Sequence, residues 1–157
     1  MAVYSVYVPN GRSVGSEFYE QKLDWLRELR LDLDETRKPT DSVAICGDFN
    51  VAPSDLDVWD PAATAGATHV TEPERKALAD VMGWGLSDGF RLQHDEAGLY
   101  SWWDYRAGCF HKHEGMRIDL ILISEDLSDR ASFALIDRNA RKGKLPSDHA
   151  PVLIDFV

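Results

Sequence analysis

Val43-Ala44-Ile45-Cys46-Gly47 is an unbroken apolar run, too short and too continuous for an amphipathic helix. A run of this kind reads as a strand buried on both faces, so its sheet must carry a packed layer on each side. Ile118 to Ile123 repeats the signal, with five apolar residues around a single carboxylate, Asp119. Strands and helices alternate loosely along the chain, with more strand late, which gives a class of α/β, or else α+β, with a layered sheet. The other segments fit that class. Val3 to Val8 reads as a strand ended by the turn signal Pro9-Asn10-Gly11. Ser16 is placed to cap a helix running to about Leu33. Its apolar stripe is wide, with Tyr19, Leu23, Leu26 and Arg30 at one helical spacing and Phe18, Trp25 and Leu29 at another. Thr71-Glu72-Pro73-Glu74 is a capping box that starts a helix to about Met82. Trp102 and Trp103 fall in a short aromatic strand or turn. Arg117 to Ser124, Ala131 to Ile136 and Pro151 to Phe156 are further strands.

The 157 residues fit one domain, and 44% hydrophobic with 28% charged residues excludes a chain disordered by composition. No apolar stretch approaches a membrane span and no signal-peptide pattern opens the chain, so no membrane partner and a cytoplasmic setting are expected. Cys46 and Cys109 form no spacing motif, and Cys46 reads as a core residue of its strand. The net charge of -10 argues against a nucleic-acid binder as a whole-surface sum. A metal ion in an acidic cleft reverses the local sign, however. Basic residues also cluster late, at Arg106, Lys112, Arg117, Arg138, Arg141, Lys142 and Lys144.

Chemistry-bearing side chains sit at the mouths of the strands. Asp48 and Asn50 follow the first apolar run, and residues i and i+2 of an extended segment point the same way. A carboxylate there can take a proton from water or bind a hard cation, and the amide can orient that water. A plain strand-ending turn is the alternative. Asp148-His149 precedes the last strand; a histidine there can move a proton or stabilise a crowded phosphate, or merely decorate a loop. Asp119 interrupts an apolar run, and a buried carboxylate needs a partner. His149 and Arg117 both offer one. Tyr7, at the end of the first strand, can donate to a phosphate or stand as a half-buried aromatic. Trp102, Trp103 and Tyr105 beside Arg106 can stack on nucleotides or form a core edge.

The order of the blocks resembles the exonuclease III family of abasic-site DNA endonucleases. The likeness runs through Tyr7-Val8-Pro9-Asn10-Gly11, Lys22 to Leu26, Gly47-Asp48-Phe49-Asn50-Val51-Ala52-Pro53, Asp55 to Trp59 and Glu74-Arg75. It continues in Gly85 to Arg91, Tyr100 to Arg106, Arg117-Ile118-Asp119 and Pro146 to Val152. The resemblance implies a Mg²⁺- or Mn²⁺-dependent phosphodiesterase that cuts DNA 5′ of abasic sites and degrades duplexes from 3′ ends. It implies catalytic roles for Tyr7, Asp48, Asn50, Asp119 and His149. Asn10, Trp103 and Arg117 would contact the DNA groove or a flipped sugar, and the ion would lie among Asp48, Asn50, Asp148 and His149. The family fold is a four-layered α/β sandwich of two halves, and the likeness covers its C-terminal portion. The glutamate metal ligand and early asparagine of the other portion have no counterpart here, since Glu17, Glu20 and Glu28 read as solvated helix residues. A truncated chain is therefore expected, with apolar sheet surface exposed and self-association following from it. Another phosphodiesterase of the wider superfamily, or an inactive DNA-binding remnant, are the alternatives.

Overall fold

The computed structural model describes all 157 residues. In chain order the elements are β1 (Ala2–Tyr7), α1 (Glu17–Thr36), β2 (Val43–Asp48), α2 (Pro61–Thr64), α3 (Glu72–Met82) and β3 (Leu86–Asp88). They continue with α4 (Cys109–Lys112), β4 (Asp119–Ser124), α5 (Glu125–Ser128), β5 (Ala131–Ile136) and β6 (Val152–Phe156). Both long helices start where side chains satisfy their free N–H groups. Ser16 Oγ accepts from the Tyr19 amide at 3.2 Å, and Thr71 with Glu74 forms a reciprocal capping box.

Four strands form one sheet in the order β1-β2-β4-β3, parallel between β1 and β2 and antiparallel elsewhere. One face packs on α1 and α3. Val43, Ile45, Leu120, Leu122 and Leu86 of the sheet meet Leu26, Leu29, Leu33, Leu78 and Val81 of the helices in a single core. The opposite face carries the antiparallel pair β5-β6, where Ala44, Ile123 and Leu127 pack with Ile121, Ala131 and Phe156. The result is a helix–sheet–sheet stack, three layers of the expected four. The outer face of β5-β6 leaves Phe133, Leu135 and Leu153 at 43–50% exposure, and Val3 on β1 is 60% exposed. No helix is long and apolar enough to cross a membrane.

Several boundaries differ from the sequence reading. Helix α1 runs to Thr36, and its buried side is one stripe of Tyr19, Lys22, Leu26, Leu29 and Leu33, while Phe18 is exposed. A lysine thus occupies the position that the aliphatic spacing assigned to Leu23. The late strand starts at Asp119 rather than Arg117. Strand β3 was not foreseen, since three residues are too few to show a period. Cys46 is half-buried rather than core, and both cysteines are free.

Candidate active site

The register of the sheet assembles the first three side chains. Tyr7 of β1 is paired with Asp48 of β2, and Asp48 with Asp119 of β4. Paired residues share a face, so the three side chains stand in a row across the end of the sheet. Gly47 lets the row form. Its φ is +150°, and a Cβ there would lie 1.9 Å from the Val6 carbonyl oxygen, so only glycine lets β2 run this close to β1.

Beyond β2 the chain turns at Asn50, which is buried with φ of 51°. Asparagine tolerates this left-handed conformation better than most residues. Its backbone N–H donates to Asp48 Oδ1 at 2.8 Å, and its side-chain Nδ2 donates to Asp48 Oδ2 and to the Val8 carbonyl, both at 3.0 Å. Asn10 Nδ2 in turn donates to Asn50 Oδ1 at 3.2 Å.

The loop before β6 supplies the rest. His149 Nδ1 donates to both oxygens of Asp119, at 3.0 and 2.8 Å. That bond fixes the ring and leaves Nε2 facing the site. Ser101, fully buried, ties this loop to the start of β4. Its Oγ accepts from the Ile118 and Asp119 amides, and its carbonyl accepts from the Ala150 amide. The Trp102 indole N–H donates to Asp148 Oδ2 at 3.1 Å. Tyr7, Asn10, Asp48, Asn50, His69, Trp102, Ile118, Asp148 and His149 line one cavity of about 240 Å³.

The charges in this cavity are not balanced. Burial, and then the neighbouring Asp119 carboxylate, push Asp48 up to about 6, against the Asn50 amide and the charges of His149 and Lys22. A carboxylate in that range can hold a proton near neutral pH, as a general base must. Burial would lower His149, but the bond and charge of Asp119 outweigh it and hold the imidazolium above its ordinary range. Burial, and then the Lys22 charge, push His69 down to about 4, so that imidazole is neutral.

Two expectations need correction. Trp103 does not reach the cleft. It is fully buried, edge-on to Phe110 with centroids 5.3 Å apart, and Trp102 is the aromatic that lines the cavity. Arg117 is also fully buried, with Nε 2.7 Å from Asp57 and Nη2 2.7 Å from Asp88. A guanidinium held this way serves the interior, so it neither contacts a polynucleotide nor pairs with Asp119, which takes His149 instead. Of the other late basic residues, Arg141 is buried, Arg138 is half-buried and donates to the Phe110 carbonyl, and Arg106 pairs with Asp104, which leaves Lys112, Lys142 and Lys144 as surface cations.

The residues that could hold an ion are Asp48, Asn50, Asp148 and His149. His149 bonds Asp119 through Nδ1 and keeps Nε2 open, and Asn50 Oδ1 accepts from Asn10 with one lone pair left. No group of three His, Cys, Asp or Glu side chains is gathered tightly on its own. Such an open set suits Mg²⁺, which keeps several waters and takes one or two carboxylates plus phosphate oxygens.

The sequence reading missed Ser101, His69 and the buried pair Lys22–Glu74 beneath the cavity. Lys22 did carry a signal, since it lies three residues after Tyr19 and four before Leu26 on the apolar stripe. Glu74 was legible only as a cap. Glu17, Glu20 and Glu28 are exposed on α1, as read.

Comparison with known proteins agrees with this geometry. The model of the endonuclease/exonuclease/phosphatase family matches residues 2–149. An exodeoxyribonuclease of Bacillus subtilis is 36% identical over 96% of this chain and 58% of its own length. The solved structure of an AP endonuclease from Archaeoglobus fulgidus superposes with a TM-score of 0.94 at 34% identity, over 98% of this chain and 60% of that one. A 3′ phosphatase from Neisseria, solved bound to a product DNA hairpin, gives a TM-score of 0.93 at 33% identity, over 99% of this chain and 60% of that one. The chain thus spans less than two thirds of the length of the proteins it resembles.

Proposed function

The chain belongs to the endonuclease/exonuclease/phosphatase family, and we propose that it carries most of the catalytic apparatus of a DNA repair phosphodiesterase of the exonuclease III kind. Its substrates are duplex DNA cut 5′ of abasic sites and duplex DNA shortened from 3′ ends. The observation that carries this reading is the row Tyr7, Asp48 and Asp119 with His149 clamped beside it, all at one end of the sheet. We read residues 1–157 as one domain that corresponds to the C-terminal portion of the relatives' domain, in a cytoplasmic setting that suits two free thiols.

Hydrolysis needs a water aimed at phosphorus, a place for its proton and charge to stabilise the crowded phosphate. Asp48, raised in proton affinity and held by Asn50, takes the proton from water. His149, its proton affinity raised by Asp119, turns Nε2 toward the phosphate oxygens. The exposed Tyr7 phenol donates to the phosphate or to the departing oxygen. Asn10, at the cavity wall, contacts the sugar–phosphate backbone. Enzymes of this family generally depend on a divalent metal; here Asp48, Asn50, Asp148 and His149 would hold Mg²⁺ or Mn²⁺, which would offset charge on the phosphoryl group. The exposed Val3, Phe133, Leu135 and Leu153 support self-association through the uncovered sheet faces, which sedimentation of the chain over a range of concentrations would test.

The deciding experiment offers the chain a duplex with one abasic site, a 3′-recessed duplex, and a set of sugar-phosphate and lipid phosphoesters, each with Mg²⁺ and with EDTA. Mg²⁺-dependent cutting of the two DNAs alone is the expected result. Turnover confined to the other esters would make the chain a different phosphodiesterase of the same superfamily. The open metal set favours a second reading, an inactive DNA-binding remnant. Duplex binding without cutting at any Mg²⁺ concentration would establish it.

A further inference from the structure

Beneath the cavity, Lys22 Nζ donates to Glu74 Oε1 at 2.6 Å, and both side chains are wholly shielded from solvent. Stability does not explain such a pair. Removing two charges from water costs about as much as their attraction returns, and apolar residues of similar volume often serve as well or better.

The pair instead ties α1 and α3, already packed through the core, to the two loops that carry the site. Lys22 comes from α1 and also donates to the Asn10 carbonyl at 3.3 Å. Glu74 comes from the first turn of α3. Its Oε1 accepts from the His69 amide and from Thr68 Oγ1, both at 2.9 Å, and its Oε2 accepts from the Thr71 amide at 3.0 Å and Thr71 Oγ1 at 2.7 Å. His69 Nδ1 then donates to the Asn50 carbonyl at 2.6 Å. A carbonyl only accepts, so the ring proton is on Nδ1, and the Lys22 ammonium 3.3 Å away touches that nitrogen without bonding it.

The backbones of both cavity asparagines therefore hang from one ion pair, Asn10 directly and Asn50 through His69. Their side chains meet at 3.2 Å, and Asn50 holds both oxygens of Asp48. The fit is close. Gly11 has φ of +83°, and a Cβ there would lie 3.1 Å from Lys22 Cδ and from Thr68 Oγ1.

We propose that the Lys22–Glu74 pair is a positioning element of the site, setting Asn10 and Asn50 against Asp48 while touching no substrate. Its consequence for turnover rests on the phosphodiesterase reading, whereas its consequence for geometry does not.

The test is the full chain with Lys22→Met and Glu74→Leu combined, beside Lys22→Arg. The double variant removes both charges at similar volume but leaves the His69 and Thr71 amides without their acceptor, so its unfolding midpoint should fall while the chain still unfolds in one cooperative step. The side-chain amide protons of Asn10 and Asn50, followed by NMR, should exchange with solvent about tenfold faster in it or more. Lys22→Arg should keep them slow. On abasic duplex the double variant should lose on the order of 10- to 100-fold in kcat with KM little changed, and Lys22→Arg should recover most of that loss. A folded double variant with unchanged amide exchange overturns the proposal. Should the double variant not fold, Glu74→Gln keeps the shape and weakens the pair, and unchanged Asn10 exchange there overturns the proposal equally. Absent turnover in the original chain would count against the phosphodiesterase reading, and the exchange rates would still decide the positioning role.

Discussion

Asn50 holds both oxygens of Asp48, its backbone N–H on Oδ1 at 2.8 Å and its side-chain Nδ2 on Oδ2 at 3.0 Å. The carboxylate therefore has one orientation. Replacing Asn50 with Ala removes the second bond and leaves the first. A lost bond to a charged group is worth about 1–3 kcal/mol, or on the order of 10- to 100-fold in rate. Asn50→Ala should lower kcat on abasic duplex by that factor. Its stability should fall by roughly 2–4 kcal/mol, from alanine in a left-handed conformation and from the Val8 carbonyl and Asn10 amide left without partners. Turnover at saturating substrate and urea melts of the same preparation separate the two effects.

Asp119 fixes the His149 ring through Nδ1, so its carboxylate acts on orientation and charge together. Asp119→Asn keeps the shape and can present an N–H to Nδ1 instead, which favours the other tautomer. Turnover should fall by roughly 10³- to 10⁴-fold, as when a comparable carboxylate behind a catalytic histidine is lost. The ¹⁵N shifts of the ring should show the proton moved from Nδ1 to Nε2 in the neutral imidazole. Unaltered ring shifts would show that Asp119 does not set the tautomer.

How much of the site was legible follows from how local each signal is. Tyr7 and Asp48 close their strands and Asp119 interrupts an apolar run, so period and position announce them, and the pairing register brings them together. The Asp119–His149 contact spans 30 residues and stayed open between His149 and Arg117 until the fold placed Arg117 inside. Trp103 and Trp102 are neighbours of the same type; alternation puts one in the core and one at the cavity, and nothing in their identities says which. Ser101 and Lys22 act through bonds to segments distant in sequence, and such partners leave no period. The two strands with continuous apolar runs, by contrast, fixed the layered class before any contact was known.

Burial of Trp103 and Arg117 gives a prediction that separates core from DNA contact. Arg117→Met leaves Asp57 and Asp88 buried with one guanidinium fewer, and breaking a buried pair costs about 3–5 kcal/mol. Trp103→Ala should cost a similar amount, about 3–5 kcal/mol, through the cavity it leaves. Lys112→Ala, on the surface, should stay within about 0.5 kcal/mol. Guanidinium melts measure all three. Original stability in Arg117→Met with weakened duplex binding would return that residue to the DNA surface.

Acid should unfold the chain in two stages, with different residues responsible. His69 is held neutral in the fold, its value pushed from 6.5 to about 4 by burial and then by Lys22. Between those values the unfolded chain binds a proton that the folded chain refuses, so the His69 contribution falls as pH drops from 6.5 to 4. The gap corresponds to roughly 3 kcal/mol. Asp48, raised from 3.8 to about 6, binds a proton in the fold first, so its contribution rises over the lower part of that range and offsets much of the His69 loss. Below that range Asp57 and Glu74 take over. Burial alone would raise both carboxyls, but Arg117 with Arg91 and Ser54 outweighs it at Asp57, and Lys22 with the His69 amide and Thr71 outweighs it at Glu74. Their folded values are depressed, so the stability they contribute is present above the ordinary carboxylate range and is lost as pH falls through the folded values. Guanidinium melts at pH 7, 5.5, 4.5 and 3.5 should show a shallow first stage and a steeper second one. His69→Asn, whose side-chain N–H can still donate to the Asn50 carbonyl, should leave Asp48 unopposed, so stability between pH 6 and 4 should rise relative to the original chain while the second stage stays in place. An unchanged slope between pH 6.5 and 4 in that variant would assign the first stage to another group.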